Sequence, residues 1–157
     1  MSTETADSHC KPIIYQLLPR LFTNYCEAPT VGGSIEKNGS GKLNDINPTI
    51  LRAIKDLGAT HVWYTGVIEH AHDADYTSFG IRRQNPHIVK GKAGSPYAIC
   101  DYYDIDPDLA VDVPERMAEF EALVERTHKA GLKVIIDFVP NHVARQYHSD
   151  AKPNGIE

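Results

Sequence analysis

Cysteine is scarce in this chain, and long apolar runs are missing. Three cysteines, Cys10, Cys26 and Cys100, occur in 157 residues. None forms a Cys-x-x-Cys pair, which argues against a disulfide framework and a cysteine zinc site; isolated thiols are expected. The longest apolar run is a strand's worth, so no membrane span is expected. There is no basic stripe either. The formal net charge is −5, with acids and bases mixed along the chain, which argues against a nucleic-acid partner. The glycine-rich "VGGS" and "KNGSGK" lack the Gly-x-x-x-x-Gly-Lys-Ser/Thr order of a phosphate loop. "MSTETADSHCK" has no apolar h-region, so no export signal is legible and residues 1–11 are expected to be a disordered segment. The compartment stays open between cytoplasm and export.

What remains is enough for one domain with a real core. "PIIYQLLPRLF" predicts a strand near Ile13–Leu18, its continuous apolar run suited to burial on both faces, with Pro19 ending it. "INPTILRAIKDLGAT" predicts a helix with Pro48 at its first position, Gly58 just past its end, and a buried stripe of Ile50, Leu51, Ile54 and Leu57. A second strand, His61–Val67, follows. "DVPERMAEFEALVERTHKAGLKVIIDFV" repeats the pattern. Asp112 is the expected N-cap and Glu115 its capping-box partner; Phe120, Leu123 and Val124 share a face, Gly131 ends the helix, and a third strand runs directly after. Short helix-to-strand links and long strand-to-helix links are typical of a parallel α/β barrel or a doubly wound sheet, where ligands bind at the strands' carboxyl ends. The link from Ile68 to Val111 is long enough that it should be functional or fold on itself.

Chemistry is therefore sought at those carboxyl ends. In "VIIDFVPNH", strand alternation places Ile135 and Asp137 on the face opposite Val134 and Ile136. Asp137 then points into a barrel interior, as a structural carboxylate satisfied by backbone or an arginine, or as a catalytic one. Asn141 is a metal-ligand amide or a loop brace. His142 is a substrate donor or a loop histidine. The long link is rich in aromatics, Tyr76, Phe79, Tyr97, Tyr102 and Tyr103, which suit the apolar faces and hydroxyl edges of a sugar, or simply pin the link to the barrel. Of eight histidines, His61, His70, His72 and His87 crowd one region. His70, His72 and Asp75 superficially suggest a zinc cluster, but no helical His-Glu-x-x-His pair accompanies them.

Taken together, these stretches resemble the α-amylase family of glycoside hydrolases. "DFVPNH" resembles its Asp-x-x-x-Asn-His signature at the end of barrel strand three. "IIYQLLPRLF" looks like its first strand and "LGATHVWYTGVIE" its second. "SPYAICDYYDIDPDLA" is similar to its Gly-Tyr-Asp-x-x-Asp-Tyr-Tyr segment. The likeness covers Pro12–Val143. Pro96 and Ala98 stand where Gly and Asp are common, and Gly66 stands where Leu-Thr-Pro is usual. The resemblance implies a (β/α)8 TIM barrel. It makes Tyr97 the ring that stacks on the sugar beside the scissile bond and His142 a hydrogen-bond partner of that sugar. Asp137 and Asp101 become residues of site architecture, and Asn141 a calcium ligand, so calcium is the implied structural cofactor. An α-glucan or maltooligosaccharide is the implied substrate.

A full barrel takes about 250 residues. This chain holds about the first three β/α units, residues 12–143, with 144–157 expected to open domain B. Retaining glycosidases need two carboxylates about 5–5.5 Å apart. The resemblance puts them at the ends of strands four and five, beyond Glu157. The expectation is thus an N-terminal portion that binds sugar but lacks the catalytic carboxylates and needs the remainder of the barrel to fold, because its sheet has open edges. The alternatives are a catalytically inactive carbohydrate-binding or scaffold protein built on the same barrel, and a metal-dependent hydrolase using His70, His72 and Asp75.

Overall fold

The computed structural model describes residues 11–156. The expectation for residues 1–11 therefore lies, Lys11 apart, outside the described residues, as does Cys10. Cys26 and Cys100 are free thiols. The elements run β1 (Ile14–Leu17), α1 (Pro19–Phe22), α2 (Ile35–Asn38), α3 (Pro48–Asp56), β2 (His61–Tyr64), β3 (Ile68–His70), β4 (Ile99–Ile105), α4 (Arg116–Lys129) and β5 (Lys133–Ile136).

β1, β2 and β5 form one parallel sheet in that order, in register through Tyr15, Val62 and Val134 and through Leu17, Tyr64 and Ile136. Each parallel step needs a crossover, and α3 and α4 supply the two helices for it. α3 begins as expected. Asn47 caps it by accepting from the N–H groups of Thr49 and Ile50 at 3.0 and 3.1 Å, with Pro48 in the first turn. Leu51 and Ile54 are buried and pack with Val62, Tyr64 and Leu123 of the neighbouring elements. Full burial of such a side chain contributes about 1.5–3 kcal/mol. Leu57 departs from the predicted stripe. It is 72% exposed, because as the C-terminal cap of α3 it is the helix's outermost residue.

The start of α4 also differs from expectation. Asp112 makes no side-chain cap; a tight 3-10 turn, Val113–Glu115, precedes the helix instead. Glu119 does the capping, its carboxylate accepting from the N–H groups of Val111 (3.0 Å) and Asp112 (2.7 Å). In the last turn of α4, Thr127 donates to the Leu123 carbonyl at 2.8 Å and shares a 2.7 Å hydrogen bond with the Tyr64 hydroxyl. That chain satisfies the buried hydroxyls of Tyr64 and Thr127 between helix and sheet. Burial pushes the Tyr64 hydroxyl up to about 12.

β1 was expected to be buried on both faces, yet Ile13 and Ile14 are about half exposed. β1 is an edge strand, and both crossover helices cover the same face of the sheet, the one bearing Tyr15, Val62 and Val134. The long link does fold on itself. β3 and β4 pair antiparallel as a two-stranded ribbon, with irregularities on both sides of Glu69. Residues 144–151 lie against that ribbon: the Ala144 and His148 N–H groups donate to the carbonyls of Ile99 (2.8 Å) and Cys100 (3.1 Å). Among the described residues, no helix is long and apolar enough to cross a membrane.

Candidate functional site

The parallel sheet brings Gln16, Trp63 and Ile135 side by side on the face away from the helices. Two residues beyond Ile135, on the same face, is Asp137. Its carboxylate accepts from the Trp63 indole N–H through Oδ1 and from the Gly66 N–H at 3.2 Å through Oδ2. Asp137 thus bridges the carboxyl ends of β2 and β5. It is half-buried, and backbone and indole, rather than an arginine, satisfy it. Gly66 has φ +69°, and a Cβ there would meet the Pro96 ring at 2.6 Å. The two departures noted in the sequence, Gly66 and Pro96, therefore pack against each other, and the missing side chain at one makes room for the ring at the other.

Next to Pro96, Tyr97 lines a shallow cleft of about 400 Å³ together with Trp63, Asp137, Ile136 and Phe138. Tyr97 is 44% exposed, so its ring is available to a ligand. Asn141 and His142 lie on the exposed loop just beyond and do not line the cleft. Tyr102 holds that loop. Its hydroxyl donates to the Val139 carbonyl, lies 3.4 Å from the His142 carbonyl, and its ring packs beside Phe138 and Tyr147. Asp101 stands apart from the cleft, fully buried. It accepts from Tyr103 N–H (2.8 Å), Ser149 hydroxyl (2.7 Å) and Ala151 N–H (3.1 Å). It fastens the segment after β5 to β4.

The sequence model of the α-amylase catalytic domain matches residues 16–154. The chain belongs to the α-amylase family. It is 30% identical over 147 residues to trehalose-6-phosphate hydrolase of Bacillus subtilis, an alignment covering 94% of this chain and 20% of that protein. It is 27% identical over 128 residues to maltase A1 of Drosophila melanogaster, covering 82% of this chain and 16% of the relative. Among solved structures, an α-amylase from Lactobacillus plantarum superposes with TM-score 0.58 at 30% identity, over 86% of this chain and 24% of that one. The α-amylase of Geobacillus thermoleovorans, complexed with acarbose, gives TM-score 0.58 at 26% identity, over 87% and 24%. These neighbours are (β/α)8 barrels, and the described sheet and crossovers correspond to part of one. The chain spans about a fifth of the length of the relatives it matches.

Within the family's barrel, the sequence signals of the long link resolve into a different arrangement from the one expected. His70, His72 and Asp75 do not converge. Asp75 is exposed and accepts from Thr77 N–H and hydroxyl at 3.0 and 2.7 Å. The imidazole of His70 pairs with Asp106 at 2.9 Å. His72 instead meets Asp106 and Asp108. Burial opposes charge on His70, but the Asp106 carboxylate outweighs it and raises the imidazole above its ordinary value. On the ribbon's preceding residue, Glu69, burial and then the carboxylates of Asp106, Asp104, Asp101 and Asp150 push the carboxyl up to about 8. Tyr76 pins its segment by donating to Asp108 at 2.9 Å.

Calcium takes six to eight oxygens. Asn141 is exposed and offers one amide oxygen. Among the described residues, His72, Asp106 and Asp108 are the one group of three converging His, Cys or acidic donors. Trp63 and Tyr102 are the site residues that sequence reasoning undervalued. Trp63 is the chain's single tryptophan and shares Asp137's face by strand alternation, a signal that was there to be read.

Proposed function

We propose that this chain is the portion of an α-amylase-type glycosidase carrying barrel strands one to three, with residues 144–157 opening domain B. The whole enzyme hydrolyses α-glucosidic bonds of starch or maltooligosaccharides with retention. Tyr97 stacks on the sugar, His142 donates to it, and Asp137 and Asp101 hold the architecture around them. The nucleophile and acid/base come from segments beyond Glu157. Asn141 offers its amide oxygen to a structural calcium ion. The observation that carries the reading is the shared cleft of Tyr97 and Asp137 at the carboxyl ends of parallel strands. An aromatic face beside a fixed carboxylate is what a pyranose ring and its hydroxyls require.

The test is kinetic. The intact protein should release the α-anomer from maltooligosaccharides, read by proton NMR. Tyr97→Ala should raise KM at least as much as it lowers kcat. Residues 1–157 alone should show no turnover, and turnover by them would overturn the placement of the carboxylates elsewhere. A second reading, an inactive member of the same barrel, is favoured by a 29% identity over 134 residues to the mouse amino acid transporter heavy chain SLC3A1, a relative named for transport. Sugar binding without hydrolysis by the intact protein would select it.

A further inference from the structure

At the ends of the β3–β4 ribbon, the glycosidase reading leaves one group of side chains unused. His72, Asp106 and Asp108 each bring one donor atom to within 4.8 Å of the other two. They are 5%, 0% and 3% exposed. Nδ1 of His72 is buried without a hydrogen-bond partner, although a buried polar atom left unpaired costs about 1–3 kcal/mol. The two carboxylates are oriented from behind. Asp106 accepts from the Asp108 N–H at 3.0 Å and pairs with the His70 imidazole at 2.9 Å. Asp108 accepts from the Tyr76 hydroxyl at 2.9 Å. Outer partners of this kind fix the orientation of metal-binding carboxylates. Asp108 also lines a cavity of about 280 Å³, shared with Arg20, Glu36, Asn38 and Lys92.

We infer that His72, Asp106 and Asp108 form a binding site for one divalent transition-metal ion of the zinc class. The donor set selects the class. One imidazole nitrogen and two carboxylates suit zinc and its first-row neighbours, whereas calcium and magnesium favour all-oxygen sites. The role is structural. His72 follows β3, and Asp106 and Asp108 follow β4, so an ion joining them ties the two ends of the excursion that carries Tyr97. Gly94 shows how tight that excursion already is, since with φ +68° its Cβ would fall 1.6 Å from the Ala71 carbonyl oxygen. The site stands independently of the glycosidase reading, because none of its ligands lines the sugar cleft.

The test uses the intact protein, stripped with chelator, dialysed and titrated with zinc chloride in buffer containing calcium and magnesium. One equivalent should bind and raise the Tm. His72→Gln should weaken binding by roughly tenfold or more, and Asp108→Asn should do the same. Asp75→Ala, which removes the exposed acid of the sequence motif, should leave binding unchanged. Absence of stoichiometric uptake by folded wild-type protein overturns the proposal, and so does binding that His72→Gln and Asp108→Asn leave intact. Wild-type titration decides the question even where a variant fails to fold.

Discussion

Glu69 is the most informative place to perturb the ribbon. Its side chain is 4% exposed, Oε2 has no hydrogen-bond partner, and burial with four neighbouring aspartates pushes its carboxyl from 4.5 up to about 8. Between those two values the folded protein holds a proton that the unfolded chain gives up. Unfolding then releases protons, so stability falls as pH rises from about 4.5 to about 8, and levels off above. At about 1.36 kcal/mol per pH unit, the full window costs about 5 kcal/mol as an upper bound, and water access with local rearrangement lowers this to about 2–5 kcal/mol. Glu69→Gln mimics the protonated acid and carries no such penalty. The intact protein and the variant should be equally stable near pH 5. The variant should be the more stable by about 2–5 kcal/mol at pH 9. Urea denaturation with chelator present, repeated across that range, reads the difference directly. A flat difference between pH 5 and pH 9 would refute the claim that Glu69 is buried among carboxylates.

Asp104→Ala should destabilise the fold by about 3–5 kcal/mol, since it leaves the Arg116 guanidinium, 15% exposed and paired through both Nε and Nη2, without its partner; denaturant midpoints check this. Glu119→Ala exposes the unpaired N–H groups of Val111 and Asp112 at the start of α4 and should cost about 1–2 kcal/mol. Amide exchange at those two residues should accelerate. Trp63→Phe keeps the ring in the cleft but removes the donor to Asp137. It should lower kcat/KM of the intact protein by roughly tenfold, equivalent to about 1.4 kcal/mol of a hydrogen bond to a charged group, while circular dichroism stays unchanged.

Much of the frame was legible because local signals agree with one another. Asn47-Pro48 before an apolar stripe specifies where α3 begins, and the stripe's period specifies which face it buries. Alternation through "VIIDFV" correctly sends Asp137 to the face opposite Val134. The departures come from places where two segments compete for one role. Asp112 has the right residue type and spacing for a cap, but the turn at Pro114 occupies the first positions, and Glu119 reaches back to the orphaned N–H groups instead. Ile13 and Ile14 are apolar enough for a fully buried strand, yet burial depends on what covers the second face, and composition carries no information on that.

The side-chain partnerships around the site were less legible, and the reason is distance along the chain. Tyr102 and Val139 are 37 residues apart, and Trp63 and Asp137 are 74 apart. No periodicity spans such separations; only the pairing of β2 with β5, and the return of the segment after β5 onto β4, brings them together. The histidines make the same point more sharply. Spacing groups His70, His72 and Asp75, because they are neighbours in sequence. The ribbon instead regroups them, giving His70 to Asp106 as a charge partner, Asp75 to its own turn, and His72 to a pair of carboxylates more than thirty residues downstream. A residue type was enough to suggest metal chemistry, but antiparallel pairing of Ile68–His70 with Ile99–Ile105 decides which acids can take part. None of the cluster's residues lines the cleft of Tyr97, so a fold-stabilising ion and a sugar-binding ring can serve one excursion without competing for its residues.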